Sequence, residues 1–237
     1  MQTATPGAPA APTTLIASRI HTVIVLAAIV GWTLVSKALG DHLGGEHADR
    51  VHSYLIALAW EWLMFALVVL GVRRAHVDLG TLIGPRWRSS RALLADVGIA
   101  AGFWICTALL LQLLSLLLRA TSAGAIQAML PRGAGQIALW VVLSVSAGIC
   151  EEAVFRGYLQ RQLIAVLRSG LAGILLAAVV FGFGHAYQGW RLAIVDGVYG
   201  ALFGVLAYWR RSVRPGMIAH AWNDAFMGIL GASLLRS

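Results

Sequence analysis

Glu151 and Glu152 are adjacent carboxylates at the end of an apolar run, Ile137 to Ile149, and Arg156 follows four residues after the second. On a helix Glu152 and Arg156 share a face and can pair. Glu151 lies about 100° round that helix and has no local partner. Two further polar clusters interrupt apolar sequence. One is Phe181-Gly182-Phe183-Gly184-His185; the other is His220-Ala221-Trp222-Asn223-Asp224, in which His220 and Asp224 are again four apart. An ionised group at a bilayer centre costs about 2.5–3.5 kcal/mol on insertion scales, so such residues are rarely placed there idly. Together they can do three kinds of chemistry. A carboxylate can take a proton from water while imidazoles hold the oxyanion. Glu and His can bind a metal. A chain of such groups can relay protons or carry an ion. Taken singly, each also has a plain structural reading: charge at a helix end met by its own arginine, a packed histidine, a His–Asp staple between helices.

The elements that must position these residues are membrane helices. The chain has 237 residues, is 59% hydrophobic and only 12% charged, which excludes a soluble domain. Its length allows one compact bundle. The net charge of +8 comes from arginines between apolar stretches, where lipid headgroups and topology account for them better than nucleic acid does. The expected fold is an all-α polytopic bundle of about seven transmembrane helices. The spans are Ile20–Leu39, Val51–Val72, Val97–Leu118, Gln136–Tyr158, Leu171–Tyr187, Leu192–Trp209 and Pro215–Leu235. Three parts follow: a disordered Ala/Pro/Thr-rich tail (1–14), front helices one to three (15–135), and a core that carries the polar clusters (136–237). The tail lacks the pattern of a signal peptide. Arg73 to Arg91, with Pro85-Arg86-Trp87-Arg88, is expected on the membrane surface, and Leu159 to Ser169 reads as amphipathic and basic. Glycines in spans five and six, among them Gly182, Gly197, Gly200 and Gly204, allow close helix approach. Cys106 and Cys150 lie in apolar runs and are read as small core residues, with no disulfide or metal spacing.

With the N-terminus cytoplasmic, twelve basic residues fall inside and six outside, accounting for all 18. That bias supports an N-in, C-out arrangement. No internal repeat is visible, so an inverted-repeat transporter has no support. A proton-coupled transporter is the weakest reading, because the polar groups gather in one half of the chain.

The series Glu-Glu-x-x-x-Arg (Glu151, Glu152, Arg156), Phe-x-x-x-His (Phe181, His185) and His-x-x-x-Asp/Asn (His220, Asp224) resembles the three motifs of the CPBP family. These are the CAAX proteases and bacteriocin-processing (Abi) enzymes, related to the Ras-converting endoprotease. Phe155-Arg156-Gly157-Tyr158-Leu159 and Pro215-Gly216-Met217-Ile218-Ala219-His220 agree with it, and the likeness covers about Gln136 to Gly231. It implies an intramembrane glutamate protease with no metal or other cofactor and a cavity open to the cytoplasm. Glu151 and His185 would activate water, and Glu152 and Arg156 would form a supporting ion pair. His220 with Asp224 would hold the oxyanion. Asp224 stands where the related endoprotease has Asn, so it would be protonated or would orient His220, with Asn223 beside it as a possible donor. The resemblance implies a multi-pass protein of the cell membrane. Its partners would be the lipid bilayer and a protein or peptide substrate, prenylated in the best-known cases, and no nucleic acid. Two other readings remain open: a non-catalytic scaffold or bacteriocin-immunity protein, and a metal-dependent hydrolase with Glu151, His185 and His220 as ligands. Of the other acids in apolar sequence, Glu61 and Asp196 are structural partners of buried polar groups or cavity residues. Trp60, Trp62, Trp190 and Trp209 are interface anchors or packing.

Overall fold

The computed structural model describes residues 14–43, 49–120 and 129–234. The expected disordered tail, apart from Thr14, lies outside them. The helices are α1 (Arg19–Leu43), α2 (Arg50–Arg74), the one-turn α3 (Gly80–Ile83) and α4 (Ser90–Leu117). Next, α5 (Ala134–Glu151) continues through a π-helical stretch, Glu152–Leu159, into α6 (Gln160–Leu167). A hairpin leads to α7 (Gly170–Gly184), then α8 (Trp190–Arg210) and α9 (Arg214–Leu234). Among the described residues there is no strand, and the expected all-α bundle is found.

Five stretches are long and apolar enough to cross a membrane: Arg19–Ala38, Arg50–Arg74, Ser90–Leu117, Ala134–Leu167 and Trp190–Arg210. This is a multi-pass membrane protein. α7 and α9 stand where two further spans are expected, but neither qualifies alone. α7 has 15 residues, which is about 22 Å of rise against roughly 30 Å of hydrocarbon. α9 carries His220, Asn223 and Asp224 in its middle.

Small residues set the tightest packing. A Cβ on Gly182 of α7 would stand 2.9 Å from Gly197 Cα of α8. One on Gly148 of α5 would meet Met217 O of α9 at 2.6 Å. Polar side chains tie the ends. The fully buried Gln162 accepts from Ile16 N (2.8 Å) and donates to Ala17 O (3.0 Å) and Thr22 Oγ1 (2.7 Å), fastening the start of α1 to α6. His21 Nδ1 shares a hydrogen bond with Tyr158 Oη at 2.6 Å.

The segment between α2 and α4 is not laid out flat on a membrane surface. Leu82 is buried, and its carbonyl occupies the space a side chain on Gly157 would need. Ser212 Oγ donates to Ile83 O (3.1 Å) and Arg214 Nε to Pro85 O (3.0 Å). Trp87 Nε1 donates to Asp96 Oδ2 at 2.8 Å, and Arg210 Nη2 reaches Asp96 Oδ1 at 2.8 Å. These bonds gather the starts of α4 and α9 and the ends of α2 and α8 at one pole of the bundle, together with the α6–α7 turn. It is the basic pole.

Cys150 is buried as expected, but Cys106 is exposed on the outer face of α4. Trp190 and Trp209 are exposed, as interface anchors are; Trp60 stacks on Trp32 and Trp62 Nε1 donates to Ser146 Oγ.

Candidate active site

The π-helical stretch carries the first motif, and all eight of its residues are buried. Its widened turn is visible where Gln160 N donates to Phe155 O, five residues back. Such bulges recur at functional sites. Within it Arg156 Nη1 meets Glu152 Oε1 at 2.9 Å, the pair the four-residue spacing predicts, with both side chains essentially inaccessible. Aromatic faces enclose the guanidinium, which lies 4.2 Å from the Phe181 ring centroid and 5.3 Å from that of Phe203. Arg156 Nη2 also donates to Gly200 O. Phe181, the first residue of the second motif, is therefore the lid on the ion pair as well as the residue whose carbonyl holds His185 Nδ1 at 2.9 Å.

His220 joins the first motif to the third. Its Nδ1 donates to Glu152 Oε1 at 3.0 Å. On the other side of the ring, Nε2 lies 3.5 Å from Asp224 Oδ2 and 3.7 Å from Glu151 Oε2. The spacing alone did not reveal the Glu152–His220 bond: the two residues are 68 apart in the chain. A Cβ on Gly216 would stand 3.0 Å from Glu152 Oε2, so the small residue one turn before His220 makes room for the carboxylate. Asp224 Oδ1 accepts from Asn223 Nδ2 at 3.3 Å, and the Asp224 carbonyl accepts from Trp140 Nε1 at 2.7 Å. Asn223 and Asp224 are thus linked to each other, although neighbours on a helix point to different faces.

Glu151 faces away from the ion pair into a cavity of about 380 Å³. His185, Glu61 and Tyr187 line the same cavity. From the expected span limits His185 comes out deeper than Glu151; the structure puts them level. The helix containing Glu151 does not end at Tyr158 but runs on to Leu167. Glu151 and His185 then lie 16 and 15 residues from the facing ends of an α6–α7 hairpin. Glu61 lines the cavity, and its Oε2 is buried without a hydrogen bond from any described residue, as is Glu151 Oε2. Asp196 Oδ2 and Tyr199 Oη on α8 are buried in the same condition, and the Tyr199 ring packs 5.8 Å from that of His220. Tyr199 went unnoticed in the sequence, because a tyrosine in an apolar helix carries no signal of its own.

The lining of this cavity comes from Trp32 and Ser36 of α1, Ser53 and Ile56 at the start of α2, and Tyr187 after α7. These positions are remote from the basic pole. The cavity therefore lies toward the end of the bundle opposite that pole. Among the described residues no three His, Cys, Asp or Glu side chains converge as a metal ion would require.

The fold and this cluster define a class: polytopic helical membrane proteins with an ionisable constellation buried among their spans. Residues 133–226, which include all three motifs, match the family model described as Rce1-like, type II CAAX prenyl endopeptidase Rce1-like. Over this segment the chain is similar to the CAAX-type membrane endopeptidases of that family. No curated protein and no solved structure matches the chain.

Proposed function

We propose that this protein is an endopeptidase of the cell membrane that cuts a peptide bond near the C-terminus of a protein or peptide by direct attack of water. One observation carries the reading. Glu151 and His185 face one cavity, while the imidazole of His220, fixed from behind by Glu152, lies within 4 Å of Glu151. Glu151 takes a proton from water as the oxygen bonds to the scissile carbonyl carbon. His185 shares the orientation of that water. The oxyanion is held by Nε2–H of His220 in its doubly protonated form, whose other N–H donates to Glu152. Collapse breaks the C–N bond, and Glu151 returns the proton to the leaving amine. No acyl-enzyme forms and no metal takes part. Glu152 and Arg156 position His220, and Asp224, tethered by Asn223, orients the same ring. The apolar wall of Ile29, Trp32, Ile56 and Met64 suits a hydrophobic substrate, a prenylated C-terminus included.

The test is cleavage of prenylated and unprenylated C-terminal peptides by purified wild type and Glu151→Gln, with and without a chelator, read by mass spectrometry. Chelator-resistant cleavage that vanishes in the variant supports the reading. Cleavage that survives Glu151→Gln removes Glu151 as the base, and loss on chelation alone would replace it with a metal mechanism.

A further inference from the structure

A second cavity, of about 930 Å³, opens at the basic pole, and the proteolytic reading leaves it without a role. Four arginines line it, Arg86, Arg156, Arg161 and Arg211, against one acid, Asp78. The charge of Arg156 is met by Glu152. The other three have no carboxylate within ion-pair distance among the described residues. Asp78 is occupied locally, accepting from Gly80 N at 2.6 Å. Arg161 is the telling member. It is half-buried, its Nη1 donates to Thr81 O, and its Nε is buried with no hydrogen bond from the described residues. A guanidinium drawn out of water without a counter-ion is costly unless an anion comes to it. Arg86 and Arg211 are exposed at the rim, where they would complete the anion's coordination.

The rest of the wall says what kind of anion. Leu79, Ile164, Ala207 and Val213 give the cavity apolar faces beside the charges. Exposed Trp87 and Trp209 stand at the same pole, the residue type that marks headgroup level. A cationic floor with apolar walls at that depth fits an amphiphile better than a free ion, and basic pockets between spans take anionic headgroups. We propose that this cavity binds the phosphate of an anionic phospholipid, with Arg161 as the inner ligand and Arg86 and Arg211 as the outer pair. The site does not depend on the chain being a protease.

The full chain, delipidated in a non-ionic detergent, is titrated with dioleoylphosphatidylglycerol or dioleoylphosphatidylcholine and read by native mass spectrometry. Wild type is expected to retain one phosphatidylglycerol at least tenfold more tightly than phosphatidylcholine. Arg161→Gln and the double variant Arg86→Gln/Arg211→Gln should each lose that preference. The double variant keeps the test clean, because neither side chain makes a described contact that the fold needs. Equal binding of the two lipids by wild type, or unchanged phosphatidylglycerol binding by the double variant, would overturn the proposal. Displacement of the lipid by equimolar glycerol 1-phosphate would do so too, since the site would then serve a soluble phosphate compound.

Discussion

Two cavities lie on either side of one buried ion pair, and they are electrostatic opposites. The one at the basic pole is walled by Arg86, Arg161 and Arg211 on the near side of Arg156. The other is walled by Glu61, Glu151 and His185 on the far side. Glu152, with no exposed surface, lines neither. Residues of one motif, at the junction of α5 and the π-helical stretch, thus serve different compartments: Glu151 looks into the acidic cavity, Arg156 closes the basic one, and Glu152 is spent on holding Arg156 and His220. A pair of like charges side by side in sequence is made useful by giving each its own partner. The arrangement predicts that the two sides can be separated by experiment.

The largest expected difference is all-or-none. In a background with Cys106 and Cys150 replaced by alanine, Ser53→Cys should react with a membrane-impermeant maleimide from one side of sealed vesicles and Arg86→Cys only from the other. Labelling of both from the same side would break the comparison and place the two mouths in one compartment. Next in size is Glu151→Gln, which removes the base from the acidic cavity and leaves the ion pair intact. A fall in kcat of about 10²–10⁴ is expected, with thermal stability close to wild type. A matching loss in both would mean that Glu151 is structural.

Arg156→Leu strikes the partition itself. It leaves the buried Glu152 with the His220 imidazole as its remaining partner, and breaking such a buried pair costs about 3–5 kcal/mol. Loss of folded protein in detergent, by size-exclusion and thermal melting, is the expected outcome. Arg156→Lys, which keeps the charge but loses the planar fork between Phe181 and Phe203, should lie between. If Arg156→Leu folds like wild type, the ion pair is not what holds the two compartments apart.

How much of this the sequence disclosed follows from the same geometry. Glu151, His185 and His220 were legible because an ionisable residue inside an apolar run stands out by itself. The four-residue spacings then gave Glu152–Arg156 and placed His220 near Asp224. The end of span four was not legible. Arg156, Gln160, Arg161 and Gln162 read as the chain leaving the membrane at Tyr158, yet Arg156, Gln160 and Gln162 are buried. Each has a partner far along the chain: Arg156 has Gly200 O beside its neighbour Glu152, Gln160 has Gly204 O at 3.0 Å, and Gln162 has Ala17 O. A polar residue looks exposed in a pattern until its long-range partner is known. The same gap misplaced His185 in depth and hid the Glu152–His220 bond. Cys106 failed for the converse reason: in a lipid-facing helix, apolar does not mean buried.

Smaller effects should follow from the contact that holds α9, and with it His220, against α5. Gly148→Ala puts a methyl against Met217 O and Ala221 N, at 2.6 and 2.9 Å, which are backbone atoms that cannot rotate away. α9 must shift from α5, carrying His220 from Glu152. A cost of about 1–3 kcal/mol is expected, with a fall in kcat that Val142→Ala, a change on the exposed face of α5, does not share. Equal effects would detach the activity from the α5–α9 approach.

The smallest effect is expected where the chain lines neither cavity. Only 11% of the most apolar part of α4 is buried, against 50% for that of the helix from Ala134 to Leu167. α4 buries Asp96, Ala100 and Thr107, packs Phe103 and Trp104 against α8 and α9, and turns much of the rest outward, Leu109 being 71% exposed. A leucine in that position exchanges protein contact for lipid tails of equal polarity, so Leu109→Phe should alter melting temperature and cleavage by no more than the error, within about 0.5 kcal/mol. Leu109→Arg should not be neutral, since the same position then sets a charge against hydrocarbon at about 2.5–3.5 kcal/mol. If the arginine were tolerated as well as the phenylalanine, that face of α4 would be facing water or a protein partner and not lipid.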